Sequence, residues 1–366
     1  MSLRFHKKPV NSKFITRNYF QLIAFLPTIF MKPAAKIFIF LMFFACLQTA
    51  RADWTKQNSN TLAWLHDVFF VSQNKGFIAG SGGTLLSTKD GGKSWTKEKL
   101  SIEDSIEQIY FSNENTGWLL CRRDFYNRGA NASSYILKTN DGGANWKQIN
   151  FGGGRERITK IVFAKNKPVL AIGESGVLLG FQSDSEIWKG INSPTRYLLL
   201  DGVFTGETRA VIVGAGGGIL FTENAGANWN KAFLPNNAKT KLNRIFFVNE
   251  KSGWAAGGEG QIYQTINGGI TWRAQSSGIT QNLTDIFFLD TAEGWAIGDG
   301  GAILHTTTAG NVWTIAEENP KHKLERIFFN GKKGWAVGFG GTILSFDETK
   351  KEIDKSAKPQ LQKRSD

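Results

Sequence analysis

Seven tryptophans recur along this chain at a nearly fixed interval. Trp54, Trp95, Trp146, Trp188, Trp229, Trp272 and Trp313 are separated by 41, 51, 42, 41, 43 and 41 residues. A period near forty, filled with short apolar runs and turn residues, marks a ring of four-stranded units, a β-propeller. A second series, Phe77, Trp118, Trp254, Trp295 and Trp335, follows a glycine each time. Only Trp64 belongs to neither the first series nor the second. The tryptophans are therefore expected to pack between blades and not to form a ligand cage.

One unit displays the expected strand order. Leu283 to Leu289 reads as an inner strand and Gly294 to Gly298 as the second. Ala302 to Thr307 reads as the third, and Asn311 to Ala316, around Trp313, as the outer strand. Runs such as Ile286-Phe287-Phe288-Leu289 suit strands covered on both faces. Inner strands are expected to start near Asp67, Gln108, Lys160, Asp201, Arg244, Asp285 and Arg326, which gives an all-β, seven-bladed propeller. The seventh unit runs through Ile343 and then gives way to charged residues with no tryptophan strand. Asp53-Trp54-Thr55-Lys56-Gln57 resembles Ser94-Trp95-Thr96-Lys97-Glu98. The N-terminal strand around Trp54 should therefore complete the last blade beside Ile343 and remove the open sheet edges.

A turn motif precedes several of the tryptophans. Thr88 to Trp95 and Thr139 to Trp146 match Ser/Thr-x-Asp-x-Gly-x-x-Trp, the Asp-box pattern. Two further copies place Asn224 and Asn267 where the others have Asp90 and Asp141, and the copies in blades three and six are degraded. The acid or amide is expected to accept backbone N–H bonds within the turn, a structural task, without binding metal.

These boxes, the strand Gly253-Trp254-Ala255-Ala256-Gly257 and the count of seven blades resemble the photosystem II stability and assembly factor family, including relatives outside photosynthesis. The resemblance covers about residues 53–350. It implies an exported, chaperone-like factor that binds a newly made membrane subunit through a basic patch; no cofactor is expected from the residues. It implies a periplasmic or secreted location, or the thylakoid lumen in a photosynthetic host.

The first fifty-two residues differ from the rest. Met31 to Lys36 is basic, Ile37 to Leu47 is apolar, and Gln48 to Ala52 ends in a small-x-small site, so Asp53 is expected to begin the mature chain. Met31 is the expected true start, with 1–30 an upstream extension; an uncleaved anchor over 19–47 is the alternative. Cys46 offers lipidation, although Phe43-Phe44-Ala45 makes a poor lipobox. The net charge of +13 falls to +5 once residues 1–52, which carry eight basic residues and no acid, are removed. That balance does not point to nucleic acid. Cys121 is then the only cysteine, so no intrachain disulfide can form. The expected organisation is a signal segment over 1–52, a propeller over 53–352 and a disordered polar tail over 353–366, with no membrane span after cleavage, as a monomer.

Enzyme chemistry finds little support. His66, His305 and His322 lack metal-ligand spacing. Gly214 to Gly218 lies between short strands with no following helix, so it is not a phosphate loop. Asp boxes also occur in sialidases and other glycosidases, but Arg157-Ile158-Thr159 breaks the sialidase motif and no carboxylate pair stands out. The chain is therefore read as a non-catalytic protein binder. A glycan-binding or glycosidase-like propeller and a general extracytoplasmic scaffold are the alternatives.

Two basic features remain. Arg122, Arg123 and Arg128 sit in an insertion that explains the long spacing of 51, while Arg155, Arg157 and Arg196 fall in or near the next two connections between blades. All should share one face, either as a patch for an acidic or carboxylate-bearing segment or as solvated loop charge. The second feature is the alignment of Asp67, Gln108, Lys160, Asp201, Arg244, Asp285 and Arg326 in the inner strands. Five adjacent opposite-charge pairs should form salt bridges between blades, with contact to a partner through Arg244 or Arg326 as the alternative.

Overall fold

The computed structural model describes residues 54–348, apart from 125–132, 153, 166, 184 and 317–319. The signal segment, Cys46, Arg128 and the C-terminal tail lie outside the described residues. The described chain forms seven four-stranded antiparallel sheets, six of them built from consecutive strands. The seventh joins Leu324–Asn330, Lys333–Gly338 and Ile343–Asp347 to the N-terminal strand Thr55–Gln57. Thr55 pairs with Ser345 and Gln57 with Ile343, so the two ends of the propeller close in one sheet. Trp54, just before that strand, packs against Phe329 and Phe346 at ring distances of 6.0 and 5.5 Å. No helix among the described residues is long and apolar enough to cross a membrane.

The core lies between blades. Leu65, Val68 and Phe70 of blade one pack with Trp335, Val337 and Ile343 of blade seven, and each neighbouring pair of blades repeats this pattern. Trp254, Trp295 and Trp335 are fully buried. Burying one such aromatic contributes about 3 kcal/mol, so the tryptophan series is the main apolar adhesive of the ring.

All seven inner strands carry a β-bulge at the same place. Leu65 and Asp67 are successive pairing residues with His66 between them, and the same shift follows Ile106, Ile158, Leu199, Leu242, Leu283 and Leu324. The inner strands begin two or three residues before the aligned positions Asp67 to Arg326, and the blade-six strand begins at Leu283 as its sequence indicates. The outer strand of blade six is also shorter, Thr314–Ile315, because Trp313 belongs to the turn.

The boxes behave as turn locks. Asp90 Oδ1 accepts from Thr88 Oγ1 at 2.7 Å and from the amides of Lys93 and Ser94 at 2.9 and 3.0 Å. Asn224 and Asn267 accept the equivalent amide bonds from Asn228 and Thr271 at 2.9 and 3.0 Å. The Asn145 amide and side chain, with Thr139, draw the Asp141 pKa down to about 2. Blade six is a correction: its sequence departs from the box, yet Gly310 N still donates to Thr306 Oγ1 at 3.0 Å and Val312 N to Thr308 Oγ1 at 2.9 Å. A threonine hydroxyl there replaces the carboxylate. Blade three has lost the box, because Gln182 pairs directly with Ile187 across four residues.

Candidate functional site: the mouth face

One end of the ring carries the connections between blades and the turns between second and third strands. In six blades that turn is a tight one ending in a glycine at positive φ. Gly217 is typical: a Cβ there would lie 2.1 Å from the carbonyl oxygen of Ala238 in the next connection, so only glycine fits. The run Gly214 to Gly218 is therefore a packing turn. Blade two is different. Its second strand continues to Arg122, and its third begins at Ser134.

The bulge decides which side chains reach this face. The seven bulged residues, His66, Glu107, Thr159, Leu200, Asn243, Thr284 and Glu325, all line the mouth, a cavity of about 530 Å³. On blades three, five and six they bond onward. Thr159 Oγ1 donates to Leu199 O at 2.6 Å, Asn243 Nδ2 to Leu283 O at 2.7 Å, and Thr284 Oγ1 to Leu324 O at 2.7 Å. On blades seven, one and two they are Glu325, His66 and Glu107, an ionisable arc. Burial lowers the His66 pKa against the raising effect of Glu107 and Glu325.

Glu107 gathers two of the expected arginines. Its carboxylate accepts from Arg122 Nε at 2.8 Å and Arg157 Nη2 at 3.4 Å. Burial pushes the Glu107 pKa up, but His66, Arg122 and Arg157 outweigh it and hold it below the ordinary value. Both arginines stay more than a third exposed, at 37% and 38%. Arg123 lies 4.3 Å over the Tyr135 ring, and the Tyr135 hydroxyl donates to Asp104 at 2.8 Å. Ser133 Oγ donates to Arg155 O at 2.6 Å, tying the exposed Arg155 to the end of the insertion. Arg196 is exposed one connection further on.

Arg244 and Arg326 are placed differently. One residue deeper than the bulge, all five expected ion pairs form. Lys160–Asp201, Arg244–Asp201, Arg244–Asp285, Arg326–Asp285 and Arg326–Asp67 close at 3.1, 3.4, 3.2, 3.7 and 2.7 Å. The acids also accept amide bonds from the next blade: Ile109 to Asp67, Ile245 to Asp201 and Ile327 to Asp285, at 2.9, 3.1 and 2.9 Å. Gln108 makes the analogous link without charge, exchanging two bonds with Ile161 at 2.9 and 2.8 Å. Burial tends to lower the Arg326 pKa, but Asp67 and Asp285 raise it overall. Burial lowers that of Lys160 to about 8, because Asp201 only partly offsets it.

Sequence reasoning missed Glu107, and it also missed Lys239, Lys241 and Lys323, which line the same cavity. Trp64, the tryptophan outside both series, stands on this face against Phe339, with Lys323 Nζ 5.3 Å from its ring. Among the described residues no His, Cys, Asp and Glu cluster could hold a metal ion.

Comparison with known proteins matches one family by sequence and several propellers by fold, among them a virginiamycin B lyase from Staphylococcus aureus at a TM-score of 0.62 and 12% identity, covering 81% of this chain and 99% of the other. A family model described as photosynthesis system II assembly factor YCF48 matches residues 47–151 and 266–358, more than half of the chain. The photosystem II assembly lipoprotein Ycf48 of Picosynechococcus sp. is 24% identical over 285 residues, 66% of this chain and 84% of that protein. The structure of YCF48 from Cyanidioschyzon merolae superimposes with a TM-score of 0.67 at 18% identity, covering 82% of this chain and 100% of the other. A structure described as YCF48 bound to D1 peptide gives 0.64 at 18% identity, covering 81% and 96%. At such identities these two structures show the shared fold.

Proposed function

This chain belongs to the photosystem II assembly factor family, and from that premise we propose that it is an exported, non-catalytic protein that holds a segment of a newly made membrane subunit. The segment lies on the mouth face, with a carboxylate against the arginine rim of blades two and three. The observation that carries this reading is the bridge from Glu107 to Arg122 and Arg157. It fixes two guanidinium groups side by side while leaving both accessible, and bidentate donors held in that way suit a carboxylate. Arg123, Arg155 and Arg196 extend the same rim, and Arg128 belongs to the insertion between its parts. Arg244 and Arg326 are assigned to the fold.

The relatives support a protein partner, since one structure is described as YCF48 bound to D1 peptide. The name lipoprotein in another is compatible with export and with Cys46 as an anchor point. The test is binding of acidic C-terminal peptides from membrane subunits of the host, read by fluorescence anisotropy at two salt concentrations. The mature protein should bind one of them, more weakly at high salt. A variant with Arg122, Arg123, Arg155 and Arg157 changed to Ala should lose at least ten-fold in affinity. Equal binding by the two proteins would remove the rim from the mechanism.

A further inference from the structure

The opposite face carries the other break in the repeat. In blade one, Ser87 pairs with Thr96, so eight residues form the box turn between third and fourth strands. In blade three, Gln182 pairs with Ile187 and only four residues connect them. The longer turn does more than connect strands, because it covers the second-strand aromatic of the preceding blade. A Cβ on Gly92 would lie 2.4 Å from Trp335 Nε1 of blade seven. Trp254 Nε1 of blade five donates to Ala309 O in the turn of blade six at 3.2 Å. Both rings are sealed, Trp335 at 2% and Trp254 at 0% exposure.

Trp118 of blade two has no eight-residue box turn beside it and is 7% exposed, against 2% and 0% for Trp335 and Trp254. It lines a groove of about 1050 Å³ with Ile136, Phe163, Phe181 and Trp188. No described residue accepts a bond from its Nε1. On the rim Lys138 pairs with Glu186 at 3.0 Å and Lys165 with Glu207, while Lys167 and Glu250 add one charge of each sign. The groove therefore offers apolar surface and an indole donor, with the charges of its described lining in balance. Its volume stands at the top of the range of about 300–1,000 Å³ usual for small-ligand sites, which suits a length of peptide.

We propose that this groove receives a short uncharged peptide turn from a partner protein, seated where the box turn sits in other blades. The repeat itself specifies the chemistry. A glycine is needed where the chain passes the indole, a backbone carbonyl should accept from Trp118 Nε1, and apolar side chains should rest on Phe163 and Phe181. The site lies on the face away from the arginine rim and does not depend on it.

The experiment uses three labelled dodecapeptides, acetylated and amidated so that no terminal carboxylate remains. One is apolar with a central Gly-Gly, one has Ala-Ala in that place, and one is polar throughout. Fluorescence anisotropy is read on the mature protein and four variants. The first replaces the turn of blade three by the box of blade two, and the second is Ala164→Trp, which fills the groove from its rim. The third is Trp118→Phe, and the fourth is Arg157→Ala. The glycine peptide should bind saturably and at least ten-fold more tightly than the alanine peptide. Binding should vanish in the first two variants, weaken several-fold in the third and stay unchanged in the fourth. Loss in Arg157→Ala, equal binding by the filled variants, or no saturable binding by any peptide would overturn the proposal. So would uptake of the apolar dye ANS that the glycine peptide fails to displace, since the groove would then be a small-molecule pocket. Circular dichroism checks the fold of each variant, and Ala164→Trp keeps the test decisive if the grafted turn does not fold.

Discussion

Asp67 and His66 are neighbours in the chain, as are Gln108 and Glu107, yet the two sets do different work. The deeper ring, from Asp67 to Arg326, is closed on itself: every acid faces a cation or a buried amide. The ring one residue earlier opens on the mouth, and only part of it is satisfied from within. The bulge at the head of each inner strand separates them. The difference teaches that an arginine in a propeller channel says little by its presence. Arg326 is held between two aspartates and serves the fold, whereas Arg157 shares one glutamate with Arg122 and keeps an open side.

The deeper ring also meets a counting problem. Seven positions cannot alternate in sign, so one must be neutral. Asp67, Lys160, Asp201, Arg244, Asp285 and Arg326 supply three charges of each sign, and Gln108 is the neutral member between Asp67 and Lys160. Its amide can both donate to and accept from Ile161, which an ionised group cannot do.

The strongest break in the comparison is Asp285→Ala. It leaves Arg244 with Asp201 alone and Arg326 with Asp67 alone, and it orphans the Ile327 amide. Removing one partner from a buried ion network costs about 3–5 kcal/mol, and the urea midpoint should fall accordingly. A loss under about 1 kcal/mol would show that the ring is not structural.

Gln108→Glu comes next. The new carboxylate would sit beside Asp67 and face the Ile161 carbonyl, at a cost of about 1–3 kcal/mol at pH 7. Its folded pKa should be raised above the unfolded value of about 4.3. The penalty is then full above the folded pKa and is relieved as pH falls through it, because the protonated acid can donate as glutamine does. Urea midpoints of variant and parent should converge between pH 7 and pH 4. Parallel curves would mean that charge is not the cause.

Arg157→Ala tests the open ring. Its pair with Glu107 is partly exposed, so stability should change by less than about 1 kcal/mol. Peptide affinity on the mouth face should fall roughly ten-fold. A variant that unfolds early and binds normally would reverse the roles assigned to the two rings.

Much of this contrast was legible in the sequence because the repeat is an internal ruler. Trp54 could be assigned to the last blade from its likeness to the segment around Trp95, and the five ion pairs followed from one aligned position. Glu107 was not legible, since an ungapped alignment treats strands as strictly alternating and a bulge leaves no mark in composition. Blade six misled for a related reason: Thr308 lacks a carboxylate but its hydroxyl accepts the same amide bond. The blade-three groove was hidden because a lost turn appears in the sequence as missing residues, while its consequence appears on Trp118 of another blade.

The smallest effect belongs to charges that serve neither ring. In Asp90→Asn, the amide oxygen can keep the bonds from Thr88 and from the amides of Lys93 and Ser94. The new N–H2 can donate to Ser94 Oγ, as Asn267 Nδ2 donates to Thr271 Oγ1 at 2.8 Å. At pH 7 the urea midpoint should therefore be nearly unchanged. Acid should separate the two proteins. The Ser94 and Thr88 hydroxyls hold the Asp90 pKa well below the ordinary carboxylate value. Its stabilisation is complete above the unfolded pKa of about 3.9 and disappears as pH falls through the folded value. The parent should lose stability more steeply than the variant below pH 4, so any small advantage at neutral pH vanishes in acid. A large loss at pH 7 would instead mean that the box needs a full negative charge, and Asn224 and Asn267 could then no longer be read as its equivalents.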